Sequence, residues 1–352
     1  MGGLIVSGRR ARWWHVDAAA VERGRINGRH AAVIGTGVTR LTKKLIRRTS
    51  VGAKVPAFTL SGRVAATYFY SAGSLWPSVA SMSALLMGIV NVTPDSFSDG
   101  GRYLAADAAV AHGRELIAQG ADLLDIGGES TRPGATRPLV AEELARVVPV
   151  IETLAAEGAV ISVDTMRAEV ARAAIGAGAA IINDVSGGLA DPAILDVVAD
   201  SQARYVCMHW RAHGSSMQAD SFTRYDDGVV ATVVAELGER VEKALAAGIG
   251  AERLILDPGL GFSKTADQNW ELLRGLDAFD TFGMPLLIGA SRKRFIGELL
   301  ADDDGALRPV DQREAAHTAV VALLAVRGVW GLRVHDVRAA HDAVAVSGRM
   351  VS

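Results

Sequence analysis

The side chains able to do chemistry in this chain gather in a few short segments, each just after an apolar run. Gly88-Ile-Val-Asn-Val-Thr-Pro-Asp-Ser-Phe-Ser-Asp-Gly-Gly101 leaves a β-rich stretch at Asn91 and becomes crowded with Thr, Asp, Ser and Gly. A core has no use for so many hydrogen-bonding groups together, so this reads as a strand opening into a functional loop. Asp125-Ile-Gly-Gly-Glu-Ser-Thr-Arg-Pro-Gly134 repeats the arrangement. It runs about fifteen residues before the next helical pattern, where an ordinary βα turn needs about two to six. Asp164 stands in Ile161-Ser-Val-Asp-Thr165, and Asn183 and Asp184 stand together in Ile181-Ile-Asn-Asp-Val-Ser-Gly-Gly188. Asp257 opens Asp-Pro-Gly-Leu-Gly-Phe-Ser-Lys264; a carboxylate there can accept two parallel hydrogen bonds from adjacent N–H groups of a heterocycle. Ser291-Arg-Lys293, continued by Arg294, brings three consecutive cations. Arg333-Val-His335 places an arginine fork and an imidazole on one strand face, a pair suited to phosphate oxygens.

Plainer roles compete for each. Asp164 could cap a helix beginning near Thr165. Asp257 could initiate a turn before its proline. A basic run is usually a solvated face. The residues alone do not choose between Asn183 and Asp184. His209, His213, His317, His335 and His341 form no zinc-type spacing, and the lone Gly259-Leu-Gly261 lacks a dinucleotide fingerprint.

Eight apolar runs must position these groups: Leu85–Val90, Leu123–Ile126, Val160–Val163, Ala180–Ile182, Arg204–Met208, Leu254–Leu256, Pro285–Ile288 and Gly331–Val334. Between most of them lie Ala-rich patterns with apolar residues three and four apart, such as Ala106–Gln119, Ala141–Ala156, Arg167–Ala177 and Tyr225–Ala247. Eight strand–helix units predict an α/β protein of the (β/α)8 TIM-barrel class, over a doubly wound open sheet. Nearly every candidate residue falls at or just after the C-terminal end of a run, the face on which such barrels build their active sites.

Composition bounds the rest. The 352 residues are 49% hydrophobic with mean hydropathy +0.22, enough for a large core. No stretch approaches the ~20 apolar residues of a membrane span. Cys207 is the only cysteine, which rules out an intrachain disulfide and suits a reducing, cytoplasmic setting. The net charge of −2 hides a break: residues 1–81 hold 13 Lys/Arg and 2 Asp/Glu, while the remainder holds 24 and 37. The basic segment has no sustained periodicity, no secretory h-region and no nucleic-acid recognition motif. It is expected to be a disordered basic extension, or sequence upstream of a start at Met82, with the barrel over residues 82–352.

The loop sequences resemble those of the dihydropteroate synthases, over roughly residues 84 to 346. The resemblance implies condensation of 6-hydroxymethyl-7,8-dihydropterin diphosphate with p-aminobenzoate, giving dihydropteroate and diphosphate. It implies that Asp164, Asn183, Met208, Asp257, Phe262 and Lys293 hold the pterin, picking Asn183 over Asp184. Phe97, Thr131, Arg132, Pro133 and Ser291 would serve the second substrate and the loops, and Arg333 and His335 the diphosphate. Asp164, Lys293, Arg333 and His335 are the implied catalytic set. Mg2+ is the implied cofactor, contacted by Asn91, and a homodimer the implied assembly, with sulfonamides competing for the aminobenzoate site. The chain departs from a Met-Arg-Gly-type continuation at Met208-His-Trp-Arg-Ala-His-Gly214. A pterin-dependent methyltransferase would not need the first two loops or Ser-Arg-Lys. A non-catalytic paralogue would be expected to lose Arg333, His335 or loop residues, and this chain keeps them all.

Overall fold

The computed structural model describes residues 84–92, 102–129, 137–212 and 219–351, together with four short strands in the N-terminal segment. Those four form two pairs, Gly2–Ser7 antiparallel to Arg10–His15, and Thr59–Leu60 with Arg63–Val64. The expected disorder of residues 1–81 otherwise falls outside the described residues. The chain divides into two units, Met1–Thr59 and Leu60–Ser352.

The larger unit contains eight parallel strands: β1 (Leu85–Asn91), β2 (Leu123–Gly127), β3 (Ile161–Asp164), β4 (Ile181–Asp184), β5 (Arg204–Met208), β6 (Leu254–Asp257), β7 (Leu287–Ile288) and β8 (Gly331–Val334). Each pairs with its sequence neighbour from β1 to β6, β7 pairs with β8, and β8 pairs with β1. A parallel bridge between Leu256 and Leu286, beside the Leu256 N–H to Pro285 carbonyl bond of 2.8 Å, closes β6 onto the approach to β7. The result is the (β/α)8 barrel that the strand count predicts.

The main helices are α1 (Arg102–Ala118), α2 (Val140–Ala156), α3 (Ala168–Gly176), α4 (Ala193–Ala199), α5 (Val229–Ala246), α6 (Ala266–Arg274), α7 (Glu314–Arg327) and α8 (Val337–Val351). Each follows its strand. Thr265 starts α6 with a reciprocal cap: its hydroxyl accepts from the Gln268 N–H and its own N–H donates to the Gln268 side chain.

Strand alternation sorts the core into two shells. Leu86, Val90, Leu124, Ile126, Ile161, Val163, Ile182, Tyr205, Leu256 and Val334 belong to the large cluster between sheet and helices. Met87, Leu123, Ile181, Val206, Ile255 and Leu287 make a separate buried cluster, the plug inside the barrel. Strands buried on both faces read as continuous apolar runs, which is why eight could be counted.

Candidate active site

The site is built one step above the plug. Two residues beyond Leu123, Ile181, Val206 and Ile255 stand Asp125, Asn183, Met208 and Asp257, in the same inward phase. Asp164 ends β3 two residues after Ser162, and Arg333 follows Gly331 by two on β8. A polar layer therefore lies on an apolar one, at the C-terminal mouth. Phase also separates Asn183 from Asp184. The Asn183 amide donates to Asp125 Oδ2 at 3.0 Å. Asp184 faces the other way, closed off by Ser186 N–H and Oγ, the Gly188 N–H and the Tyr205 hydroxyl at 2.7 to 2.8 Å. Asp184 is structural.

Arg333 ties the layer together. Its Nε donates to Asp125 Oδ2 at 2.6 Å and its Nη2 to Asp164 Oδ2 at 2.9 Å. Asp125, fully buried, also accepts from Ser162 Oγ at 2.6 Å. Burial works against the Arg333 charge, but Asp125 and Asp164 hold its pKa above the ordinary value. Burial pushes Asp164 up to about 7, against the pull of Arg333 and with repulsion from Asp125.

Asp257, at the end of β6, accepts from the Gly259 N–H at 2.7 Å through Oδ1. Burial raises its pKa, opposed by Lys293, that N–H, Lys264 and Arg333. Lys293 donates to the Leu260 carbonyl and lies 5.1 Å from the Phe262 ring centre. Burial pushes Lys293 down to about 8, against the pull of Asp257. The loop between Asp257 and Lys264 needs its glycines. Gly259 has φ +71, and a Cβ there would collide with the His209 carbonyl; Gly261 has φ +78, and its Cβ would meet Lys293 Cδ at 2.9 Å. On the apolar side, Met166, Val185 and Met208 form a small buried cluster with Phe262 and Trp210 packed on it.

Ser291 Oγ accepts from the His335 N–H at 3.3 Å and lies 2.9 Å from His335 Nδ1, so the two are one unit. Asn91 ends β1 half-buried, with its Cα paired to Gly127. Arg292 and Arg294 are exposed, and Arg294 pairs with Glu298 at 2.5 Å. Phe97, Thr131, Arg132 and Pro133 lie outside the described residues. The base of the second loop is braced by Arg137 Nε to Glu129 at 3.1 Å and Arg146 Nη1 to the Gly128 carbonyl at 2.8 Å.

The structure thus gathers Asp164, Asn183, Met208, Asp257, Phe262, Lys293 and Arg333 at one barrel mouth, with Ser291 and His335 joined at the ends of β7 and β8. Asp125 is the group missing from the expected set, although it is the hub to which Ser162, Asn183 and Arg333 converge. Its inward phase, two residues past Leu123, is the signal that could have found it. The buried Lys264 was also missed. No group of three or more His, Cys, Asp or Glu among the described residues could hold a metal ion.

A family model described as pterin binding enzyme matches residues 87–335. The dihydropteroate synthase of Mycobacterium leprae is 53% identical over 263 residues, covering 75% of this chain and 92% of that protein. A solved Xanthomonas albilineans dihydropteroate synthase with 4-aminobenzoic acid superposes with a TM-score of 0.69 at 49% identity, covering 77% of this chain and 94% of that one. Another from the same organism, in complex with 7,8-dihydropteroate, gives a TM-score of 0.68 at 43% identity over 84% of this chain and 99% of that one. With its barrel and polar mouth in place, the chain belongs to the pterin-binding enzyme family and, within it, to the dihydropteroate synthases.

Proposed function

We propose that this chain joins 6-hydroxymethyl-7,8-dihydropterin diphosphate to p-aminobenzoate, a transferase step of folate synthesis. The observation that carries the reading is the meeting, at one barrel mouth, of a recessed carboxylate and amide, two half-buried cations and an apolar wall. A pterin offers a flat ring and an edge of adjacent N–H donors. Asp257 accepts from that edge, Asn183 reads the ring's other polar atoms, and Met208 and Phe262 cover its faces. Lys293 reaches across to the ring and towards the aminobenzoate side.

The bond between the pterin methylene and the diphosphate oxygen breaks, and its electron pair leaves with the diphosphate. Arg333 and His335 favour that departure by their charge and hydrogen bonds. The ionised Asp164 steadies positive charge developing at the methylene. The aminobenzoate nitrogen then forms the new C–N bond and releases a proton. No side chain becomes covalently attached. Phe97, Thr131, Arg132, Pro133 and Ser291 form or brace the aminobenzoate side, where sulfonamides compete.

Mg2+ fits the donor set only as an ion shared with the substrate. Asn91 offers one half-buried amide oxygen, and a hard cation of this size wants about six oxygens, so diphosphate and water must supply the others. When bound it would neutralise diphosphate charge. We place the enzyme in the cytoplasm, on the strength of its one buried cysteine. No helix among the described residues is long and apolar enough to cross a membrane. Two copies pair in our reading through α7 and α8, where Leu323 is 72% and Met350 81% exposed.

The test is a coupled assay for diphosphate. Release only when both substrates are present supports the reading; release with pterin diphosphate alone, or none, overturns it.

A further inference from the structure

Lys264 is only 3% exposed, and so deep a charge is costly unless its donors are met. Its Nζ donates to the Gly259 and Phe262 carbonyls and meets His209 Nδ1, all at 2.9 Å. The Glu236 carboxylate beside His209 Nε2 fixes the ring proton there and leaves Nδ1 a bare acceptor. Three acceptors then match the three N–H bonds of an ammonium, and a neutral amine would leave one of them without a proton. Burial, and then Lys293, hold the lysine's pKa well below its ordinary value, with Asp257 and Glu236 pulling the other way. The acceptor count decides for the charged form.

An ionised carboxylate can only accept, so His209 Nε2 carries the ring proton and donates it to Glu236 Oε2 at 2.8 Å. Burial and the nearby Lys264 push His209 down to about 4, so the ring is neutral. Burial opposes the Glu236 charge, but bonds from His209 and Arg211 hold that carboxylate at about 2. Arg211 lies 4.0 Å from the Tyr225 ring centre, and the Tyr225 hydroxyl donates to the Ser263 carbonyl at 2.9 Å. One chain of bonds therefore runs from α5 through His209 to Lys264. Together with Tyr225 it holds three carbonyls of the loop after β6.

We propose that Lys264 is a positioning residue for pterin binding: its ammonium ties the Gly259–Phe262 loop to the end of β5 and sets a positive charge beside the Asp257 carboxylate. This deepens the proposed function and rests on it. Asp257 is faced by Lys293 after β7, Arg333 on β8 and Lys264 after β6. With Lys264 neutralised, the Asp257 carboxylate keeps its proton to a higher pH and accepts no pair of hydrogen bonds there.

The experiment compares the full chain with Lys264→Met, which loses charge and donors, and Lys264→Gln, which keeps two donors without charge. KM is measured for each substrate, and binding of a pterin analogue is followed against pH. Lys264→Met should raise the pterin-diphosphate KM about tenfold, the scale of leaving buried acceptors unpaired, with the aminobenzoate KM unchanged. The acid limb of analogue binding should move to higher pH in both variants. An unmoved acid limb, equal rises in both KM values, or failure of both variants to fold would overturn the proposal. Absence of product from the unsubstituted chain would instead sink the functional reading.

Discussion

At the scale of single residues, burial sends Asp164 and Lys293 towards each other in pKa because it opposes charges of opposite sign. Asp164 rises to about 7 and Lys293 falls to about 8. As pH falls through the first value Asp164 takes up a proton and no longer steadies a cationic methylene. As pH rises through the second, Lys293 loses its charge. The kcat/KM profile should therefore be a narrow bell centred between them. Asp164→Asn should lower the rate and abolish the acid limb, and Lys293→Gln should abolish the alkaline limb. A flat profile from about pH 6 to about pH 9 would contradict both assignments. Asp257→Asn should act differently. Its Oδ1 can still accept from the Gly259 N–H, so the loop holds, but the new NH2 meets the pterin's own donors. Pterin binding should weaken by about 2–5 kcal/mol without loss of the fold. Calorimetric titration with a pterin analogue checks it, and unchanged affinity would remove Asp257 from the site.

At the scale of elements, the strands were legible because both faces are buried, while the same burial hid which residue of a pair faces inward. Asn183 and Asp184 differ only in phase, and a four-residue strand gives too few alternations to set the phase from sequence. Asp125 was legible as a strand-end carboxylate, but not as a hub, because Arg333 reaches it from 208 residues away. Lys264 gave no signal at all. Its partners are two loop carbonyls and a histidine from the neighbouring strand, and only the folded chain brings them together. The same contrast between braced strand ends and long loops gives a prediction about binding order. Of the groups proposed for the pterin, Asp164 and Asn183 stand on strand ends joined through Asp125 and Arg333, and Asp257 is held by the Gly259 N–H. The groups proposed for aminobenzoate, Phe97, Thr131, Arg132 and Pro133, belong to two Gly-rich segments of sequence with little apolar content. Pterin diphosphate should bind first, and diphosphate with Mg2+ should create the second site. Substitutions at Phe97 or Pro133 should weaken sulfonamides without abolishing pterin binding. Equal aminobenzoate affinity with and without diphosphate plus Mg2+ would show a site formed in advance and end the ordered scheme.

At the scale of the whole molecule, the barrel closes its own ring: β8 pairs with β1, and the bridge at Leu256 and Leu286 links β6 to the approach to β7. A closed ring offers no free sheet edge that needs an added strand. The family match likewise begins at residue 87, inside β1. Residues 1–81 carry an excess of eleven positive charges against thirteen negative ones in the remainder, and no candidate site residue lies among them. A chain starting at Met82 should therefore fold, melt within a few degrees of the full chain and keep its kcat/KM for both substrates. It should also be more acidic, and so elute later from an anion-exchange column. Melting curves, the diphosphate-release assay and that elution shift, taken on both chains side by side, decide the matter. Insoluble or inactive protein from Met82 onwards would mean that the basic segment supplies packing or substrate contacts to the barrel, and the boundary drawn at residue 82 would have to move towards the N-terminus.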